Sequence, residues 1–395
     1  MAKKVAHEAP VRTKDRFLVF GAPDIRDEEI REVVATMTSG WLGTGPKVAR
    51  FEREFGAYVG AAHVSALNSC TAALHLSLLA AGVGADDEVI TSALTFCATV
   101  NAILHAGARP VVADVDPRTM NLDLDDVVRK LSPRTKAILP VHFAGRPCDM
   151  DAIMAIARER GLLVVEDCAH AIETEWRGRH AGTFGDFGCF SFYVTKNVAT
   201  GEGGMVVTRT EEAAARVRVL GLHGMSKDAW KRFGDEGYKH YQVVAAGFKH
   251  NMMDLQAAIG IHQLARVETA WRRRREIWDR YDRAFASLPL GLPAPPEPGT
   301  RHAHHLYTVL VDPRRCGVTR DAFLDGMTRE GIGVGVHYVA IPEHPYYRET
   351  LGWHPEDTPE ATRIGRQTVS LPLSPKLSDG DIEDVITAVR RTLGD

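Results

Sequence analysis

The chain has 395 residues, of which 45% are hydrophobic and 25% charged, and its formal net charge is −3. This length predicts two domains, or one large α/β domain with an appendage. The balanced charge excludes bulk attraction to nucleic acid or anionic lipid, and the lack of a long apolar run or signal-peptide core predicts a cytoplasmic protein without a membrane partner.

The first part of the chain contains an arm, a helix and a glycine-rich loop. Residues 1–16 are polar and lysine-rich, which is typical of a loosely held arm. Apolar spacing predicts a helix over residues 24–39 that ends at Gly40. Residues 41–46 then form either a plain connector or a pocket lining where the backbone approaches a ligand closely.

From residue 62, short β-branched runs alternate with helical segments. Strands are predicted at residues 88–91, 110–115, 137–141 and 162–166, and helices at residues 71–81, 97–106, 124–131 and 150–160. This repetition implies a mainly parallel sheet that is covered by helices on both faces. Ligands should therefore collect at the carboxyl ends of the strands.

The C-terminal part has a different pattern. Asn251 is predicted to cap one long helix that runs to Phe285 and links two domains. The arginines at 272–275 are predicted to lie on a solvated face of this helix. Beyond the proline-rich break, a strand (306–311), a helix (320–330), a second strand (334–338) and a closing helix (379–393) predict a smaller α+β domain. We therefore expect a large α/β domain over residues 17–265 and a small domain over residues 266–395.

Lys196 is the residue that carries the strongest chemical signal. It lies between a short aromatic run at residues 187–192, which predicts a buried strand, and a loop that contains Gly201, Gly203 and Gly204. Burial in such a loop would depress the pKa of the lysine, and a neutral amine can attack an aldehyde to form a Schiff base. A solvent-facing lysine in a turn is the alternative.

Two further stretches could bind a charged ligand. The helix that begins near Thr71 offers free first-turn amides to a phosphate, although any Ser/Thr cap would look the same. Glu166 and Asp167 end a buried strand, and one of them would need a cation such as a protonated pyridine nitrogen. A helix cap or a structural ion pair to arginine is the alternative for that carboxylate.

A phosphate cradle at Thr71, a stacking aromatic at Phe96, a carboxylate at Asp167 and an amine at Lys196 match the four needs of pyridoxal 5′-phosphate (PLP). From about residue 20 to the C-terminus, the chain also resembles the DegT/DnrJ/StrS family of sugar-nucleotide aminotransferases. The resemblance is carried by residues 40–46, 68–75, 95–96, 166–170, 190–192, 195–197, 201–204 and 337–338. It implies the fold type I, aspartate-aminotransferase-like architecture and a homodimer with active sites at the subunit interface.

The resemblance also implies a role for individual residues. Lys196 would hold PLP as a Schiff base, Asp167 would bind the ring nitrogen, His170 would contact the ring near its hydroxyl, and Phe96 would stack on it. The phosphate would be held by Cys70, Thr71, Ala72 and Ser191, with Lys249 or Asn251 arriving from the partner subunit. The family commonly has asparagine where Lys249 aligns, so Lys249 would make an ion pair or the contact would move to Asn251. The substrate pocket would include Trp41, Leu42, Thr44, Lys227, His305, Tyr307, His337 and Tyr338.

Three neighbouring histidines, His302, His304 and His305, could suggest a metal site. Adjacent residues on a strand point to opposite faces, and no acidic or thiol partner is evident nearby. We therefore expect no metal.

By the same resemblance, the protein should transfer an amino group from an amino acid, L-glutamate, to a 4-keto-6-deoxy sugar linked to dTDP or UDP, in deoxyamino-sugar biosynthesis. An aminotransferase acting on a cyclitol such as an inosose is an alternative that needs no diphosphate site. A PLP-dependent sugar dehydrase would have histidine in place of Lys196. A non-catalytic PLP-binding regulator has no need of both Lys196 and Asp167.

Overall fold

The structure is a computed structural model that describes residues 9–226 and 241–394. Its strands are β1 (His63–Leu67), β2 (Glu88–Ser92), β3 (Arg109–Ala113), β4 (Thr135–Leu139), β5 (Leu163–Asp167), β6 (Glu175–Trp176), β7 (Arg179–His180), β8 (Phe187–Ser191), β9 (Gly204–Thr208), β10 (Thr300–Arg301), β11 (Tyr307–Leu310) and β12 (Thr368–Leu371). Its α-helices are α1 (Asp27–Ser39), α2 (Pro46–Val59), α3 (Cys70–Ala80), α4 (Cys97–His105), α5 (Leu124–Lys130), α6 (Met150–Arg160), α7 (Glu211–Gly221), α8 (Asp254–Ala265), α9 (Val267–Phe285), α10 (Pro313–Cys316), α11 (Arg320–Arg329), α12 (Pro345–Leu351), α13 (Pro359–Gln367) and α14 (Asp379–Leu393). Within the described ranges, no helix has both the length and the apolar character to cross a membrane.

The large sheet confirms the predicted α/β class. Within the described residues its seven strands lie in the order β1-β9-β8-β5-β4-β2-β3. β3, β2, β4, β5 and β8 are parallel, whereas β9 runs antiparallel to both of its neighbours. The carboxyl ends of β5 and β8 and the amino end of β9 therefore meet at one edge of the sheet. The alternating strands and helices predicted from residue 71 to residue 166 are confirmed to within two residues at every boundary.

The C-terminal part has its own apolar core. The antiparallel pair β11 and β12 packs with α9, α11 and α14, and their shared interior is formed by side chains that include Tyr281, Phe285, Tyr307, Phe323 and Val389. This agrees with the predicted α+β character of the segment. The predicted closing helix at residues 379–393 is confirmed.

Two element predictions in this part were wrong. Residues 334–338 do not form a strand: only Gly335 pairs with Ser370, and the strand beside β11 is β12, which we did not predict. The chain leaves the sheet after Gly335, and this departure takes His337 and Tyr338 to the edge where β5 ends. The single helix predicted from Asn251 to Phe285 is two helices that meet at Arg266.

The predicted start of this long helix at Asn251 was also wrong. The N-cap of α8 is Met253, whose backbone N–H donates to Gln256 Oε1 at 2.9 Å, and Asn251 instead pairs with Leu67. Similarly, residues 1–16 were predicted to form a loosely held arm, but part of this arm is anchored to the rest of the fold. Arg12 forms ion pairs with Asp381 and Asp384, and these contacts tie residues near the chain start to α14.

Candidate active site

A cavity of about 490 Å³ lies at the sheet edge where β5 and β8 end. The predicted residues that line it are Cys70, Thr71, Phe96, Asp167, His170, Ser191, Lys196, His337 and Tyr338. Residues that lie far apart in the sequence are thus brought together by the parallel strands, at the place where α/β sheets bind ligands.

Asp167 is the last residue of β5, and it lines the cavity. Its carboxylate accepts hydrogen bonds from the Thr99 hydroxyl at 2.8 Å and from the Ala169 amide at 3.0 Å. Burial raises the pKa of Asp167, while the two hydrogen bonds and the Lys196 charge oppose the rise. A cation bound beside Asp167 would therefore stabilise its ionised form.

The neighbouring Glu166 faces the other side of the sheet and has a structural role. Its carboxylate accepts hydrogen bonds from the backbone N–H groups of Gly182, Phe184 and Gly185 at 2.7 to 2.8 Å. It also accepts one from His142 Nε2 at 3.1 Å. His142, Glu166 and Cys168 lie close enough together to suggest a metal site, but the Glu166 oxygens are already bonded. Of the two carboxylates that the sequence places at the end of this strand, Glu166 and Asp167, it is Asp167 that lines the cavity.

Lys196 reaches the cavity from the tight loop that follows β8. Its backbone N–H donates to Tyr193 O at 2.8 Å, which closes the turn that presents the side chain. Burial lowers the pKa of Lys196 to about 8, against the attraction of Cys70 and Asp167. The side chain thus has a substantial neutral fraction near physiological pH, as a nucleophilic amine requires.

The anion cradle is the N-terminus of α3. Ser69 is its N-cap, and the first-turn amides of Cys70 and Thr71 precede the first intrahelical bond. The Ala72 amide, which we expected to bind phosphate, donates instead to Ser69 Oγ at 3.1 Å, because the cap uses it. β9 approaches this helix start through Gly204, where an added Cβ would lie 2.3 Å from the Ser69 carbonyl carbon.

The opposite wall is built from His170 and Tyr338. The Ala144 amide donates to His170 Nδ1 at 3.2 Å, so the ring proton is on Nε2, which lies 3.0 Å from the Tyr338 hydroxyl. Burial lowers the pKa of His170 well below its ordinary value and raises that of Tyr338, so both groups are neutral. Phe96, which is 56% exposed, forms the rim at 5.8 Å from the Tyr338 ring.

Several predicted substrate residues are not in this cavity. Tyr307 is a core residue of the C-terminal part, where its hydroxyl donates to Asp282 at 2.7 Å, so that prediction was wrong. His305 lies behind the wall, with its ring centroid 4.5 Å from that of His170. Lys227 lies outside the described residues.

A second group of predicted residues clusters at the surface around Asn251. Asn251 Nδ2 donates to Thr44 Oγ1 at 2.7 Å, and Lys249 Nζ donates to Asn251 Oδ1 at 2.6 Å. Trp41, 48% exposed, donates from its indole to Thr44 O at 3.1 Å, and Leu42 is 44% exposed beside it. Within the described part of the chain, these residues do not line the cavity of their own subunit.

Three residues that shape the site were not predicted from the sequence. Thr99 orients Asp167, and Tyr193 and Glu202 line the cavity. Thr99 lies in the first turn of the helix that follows β2, so its position after a strand was a usable signal. Tyr193 and Glu202 sit in the Lys196 loop, whose path was not predictable in detail.

Comparison with known proteins decides the family. The model of the DegT/DnrJ/EryC1/StrS aminotransferase family matches residues 23–390. The chain belongs to this family. It is 51% identical over 382 residues to the spore coat polysaccharide biosynthesis protein SpsC of Bacillus subtilis strain 168, covering 96% of this chain and 98% of that protein.

Solved structures of family members agree with the fold. Spr1654 from Streptococcus pneumoniae, provisionally named a sugar aminotransferase and solved in PMP form, is 33% identical, with a TM-score of 0.89 over 96% of this chain and 98% of that one. The structure of DesI in the presence of its TDP-sugar product is 32% identical, with a TM-score of 0.86 over 97% of this chain and 94% of that one. The predicted fold type I class is thus confirmed, and the protein is a PLP-dependent aminotransferase.

The described residues fit PLP. Asp167 offers a buried carboxylate to a protonated ring nitrogen, Lys196 offers a partly neutral amine to the aldehyde, and the start of α3 offers unbonded amides to the phosphate. Phe96 provides an exposed aromatic face at the rim of the same cavity. The assignment of each contact remains our prediction, since it rests on position alone.

Replacing Gly204 with alanine should weaken PLP binding at least about tenfold, which corresponds to about 1.4 kcal/mol. The new Cβ would collide with the Ser69 carbonyl and displace the helix start that offers its amides to phosphate. Titration of the apoprotein with PLP, followed by absorbance, measures the effect. Gly84→Ala is the matched control because no atom lies within 4 Å of its added Cβ. Equal affinity in both variants would contradict the assignment of the cradle.

Proposed function

We propose that the protein transfers the amino group of an amino acid, L-glutamate, to the keto carbon of a nucleotide-linked 4-keto-6-deoxy sugar, with dTDP or UDP as the nucleotide. The observation that carries the proposal is the meeting of Lys196 and Asp167 in one cavity of a family aminotransferase. DesI, whose structure includes a TDP-sugar product, supports the nucleotide sugar. SpsC, named for polysaccharide biosynthesis, supports a sugar product.

The chain's own residues account for the chemistry of amino transfer. When bound, PLP supplies an electron-withdrawing ring that makes a proton on the amine-bearing carbon removable. Lys196 would hold the cofactor in the resting enzyme and, as a neutral amine, would accept and return that proton. Asp167 would keep the ring nitrogen protonated, and the Tyr338 hydroxyl, 3.0 Å from His170 Nε2, lines the same cavity.

Two exposed aromatic residues support a position for the nucleotide. Phe96 and Tyr193 both line the cavity and are 56% and 44% exposed. The keto end of the substrate would reach Lys196, while the diphosphate and base would extend past these rings. Lys227 is proposed to meet the diphosphate.

We also propose a cytoplasmic homodimer in which each subunit completes the site of the other. α1 exposes Ile30, Val34 and Met37 at 55%, 56% and 60%, and Trp41 and Leu42 extend the same surface stretch of chain. A monomer rarely exposes so many neighbouring large apolar side chains. The cluster of Thr44, Lys249 and Asn251 follows this stretch and would reach the phosphate in the partner subunit.

Mixed dimers test the shared site. One subunit carries Lys196→Ala and the other carries Lys249→Ala with Asn251→Ala, each with a different affinity tag. The purified heterodimer should have about half of the wild-type activity, because one of its two sites receives both intact halves. Each variant homodimer should be much less active. A heterodimer no more active than the variant homodimers would contradict the shared site.

The substrate assignment is tested by an amination panel of 3-keto and 4-keto nucleotide sugars and an inosose, with glutamate as donor. We expect turnover of a 4-keto nucleotide sugar, with the new nitrogen at carbon 4 in the NMR spectrum of the product. Preference for the inosose would replace the proposal with cyclitol amination. Dehydration without nitrogen incorporation would indicate the dehydrase, and an unchanged cofactor absorbance with glutamate would indicate a regulator.

A further inference from the structure

Asn197, the residue after Lys196, is buried and makes hydrogen bonds through both ends of its amide. Its Nδ2 lies 3.0 and 2.8 Å from the two Glu173 carboxylate oxygens and 3.1 Å from the Ala303 carbonyl oxygen. The Ala303 carbonyl oxygen can only accept a hydrogen bond, and the same holds for the carboxylate oxygens of an ionised Glu173. These partners fix the amide orientation, with the nitrogen towards Glu173 and Oδ1 on the opposite side.

The orientation of Asn197 determines the proton position on His305. Asn197 Oδ1 lies 2.9 Å from His305 Nδ1, and an amide oxygen can only accept, so Nδ1 must carry the proton. His305 is buried, and burial lowers its pKa well below the ordinary value. His305 is therefore neutral and keeps a lone pair on Nε2.

His305 lies directly against the wall of the active site. Its ring centroid is 4.5 Å from that of His170, whose own proton is on Nε2 because Nδ1 accepts from the Ala144 amide. The two adjacent rings are thus held as opposite neutral tautomers. The titratable groups whose charges act on His305 are His170, Lys196, Arg274 and His337, and all four disfavour a positive charge there.

When ionised, Glu173 places a buried negative charge at the Nδ2 end of the Asn197 amide, whose Oδ1 end bonds to His305. Burial raises the pKa of Glu173 to about 7, and Arg274 and the Asn197 amide oppose the rise. Arg274 belongs to the arginine run that we predicted to be solvated, yet it is only 5% exposed and lines a small cavity beneath Lys196 and Asn197. Asn197 stands between the Glu173 carboxylate and His305 as a neutral spacer.

We propose that Asn197 is a positioning residue that fixes His305 as the neutral Nδ1–H tautomer and keeps the charge of Glu173 away from it. The wall beside His170 then carries no positive charge that would compete with Lys196 for protons. A carboxylate at position 197 would instead favour the imidazolium form of His305. The inference does not depend on which keto substrate the enzyme uses.

The wild-type enzyme with PLP bound provides the first test. Two-dimensional ¹H–¹⁵N NMR of the histidine rings distinguishes the two neutral tautomers from the imidazolium ion, and the His305→Gln variant assigns the signals. At pH 7 we expect protonated Nδ1 and unprotonated Nε2 on His305. The Nε2–H tautomer, or an imidazolium ion, would overturn the proposal without any need for a further variant to fold.

A pair of variants provides the second test. Glu173→Gln removes the charge but leaves Asn197 oriented by the Ala303 carbonyl, so His305 should keep its neutral Nδ1–H tautomer. Glu173→Gln combined with Asn197→Asp moves the charge next to His305 and should raise the His305 pKa. In a pH series of NMR spectra, both ring nitrogens should therefore become protonated at a higher pH in the double variant than in Glu173→Gln. An unchanged protonation midpoint of His305 would overturn the proposal.

The same variants separate positioning from a purely structural role. In the double variant, the acid limb of the pH profile of kcat should move upward with the His305 pKa, so that activity recovers at high pH. Loss of activity at every pH would indicate structural damage and would count against the proposal. Asn101→Asp is the matched control, because Asn101 accepts a hydrogen bond from the Tyr347 hydroxyl at 2.7 Å, which aspartate can also accept. Its pH profile should stay as in the wild type.

Discussion

Replacing Lys196 with alanine should reduce turnover by at least about 10⁴-fold, the upper range for loss of a general acid–base group. The side chain lies in the cavity with Asp167, and burial lowers its pKa to about 8. The variant loses both the amine that holds PLP and the base that moves the substrate proton. PLP should still bind, because the helix start at Thr71 and the carboxylate of Asp167 remain.

Steady-state amination and PLP titration of the same preparation measure both parts of this prediction. Lys136→Ala is the control, since Lys136 is an exposed lysine on β4. The wild-type apoenzyme should also form a Schiff base with an added aldehyde faster as the pH rises through about 8, because the pKa of Lys196 is about 8 and its neutral form is the nucleophile. Turnover within tenfold of the wild type in Lys196→Ala would contradict the assignment.

Asp167→Asn should slow the reaction with glutamate by about 10³-fold. At about 4 Å and an effective dielectric constant near 20, a carboxylate and a pyridinium attract each other by about 4 kcal/mol, or about three powers of ten. Asparagine keeps the shape of the side chain and an oxygen for the Thr99 hydroxyl, which is 2.8 Å away in the wild type. The substitution therefore removes the charge and one of the two acceptor oxygens, which in the wild type serve the Thr99 hydroxyl and the Ala169 amide.

Single-turnover absorbance with glutamate measures this effect, and an altered cofactor supplies the decisive comparison. A PLP analogue methylated on the ring nitrogen is permanently cationic, so it should restore much of the activity of Asp167→Asn. Asp186→Asn is the control, because Asp186 lies at the amino end of β8, where it accepts from the Val164 amide at 2.9 Å. A loss in Asp167→Asn of less than about threefold would show that Asp167 does not hold the ring nitrogen.

The parts of the fold that followed from the sequence were those with local signals. Apolar strands alternate with amphipathic helices from residue 71 to residue 166, and each signal lies within its own element. The same is true of the helix start near Thr71 and of the strand that leads to Lys196. The position of the domain boundary near residue 265 stays a prediction.

Features that depend on tertiary contacts did not follow from the sequence. Period-two alternation says that Glu166 and Asp167 face opposite sides of the sheet, but only the packed loop at Gly182 and Phe184 shows which side is structural. The sequence does not show whether the Tyr307 hydroxyl bonds to a substrate or to another residue of the chain. In the fold it donates a hydrogen bond to Asp282. The sequence does not distinguish Arg274 from the other arginines of the run. In the fold, Arg274 is buried and lies by the small cavity that Lys196 and Asn197 also line.

Borohydride reduction of the PLP-loaded enzyme, followed by peptide mapping, tests the central claim most directly. The reagent fixes the cofactor to whichever lysine holds it. We expect the label on the peptide that contains Lys196, with one label per subunit and none in the Lys196→Ala variant. A label on another lysine, or a wild-type protein that takes up none, would contradict the assignment of Lys196 and with it the mechanism proposed here.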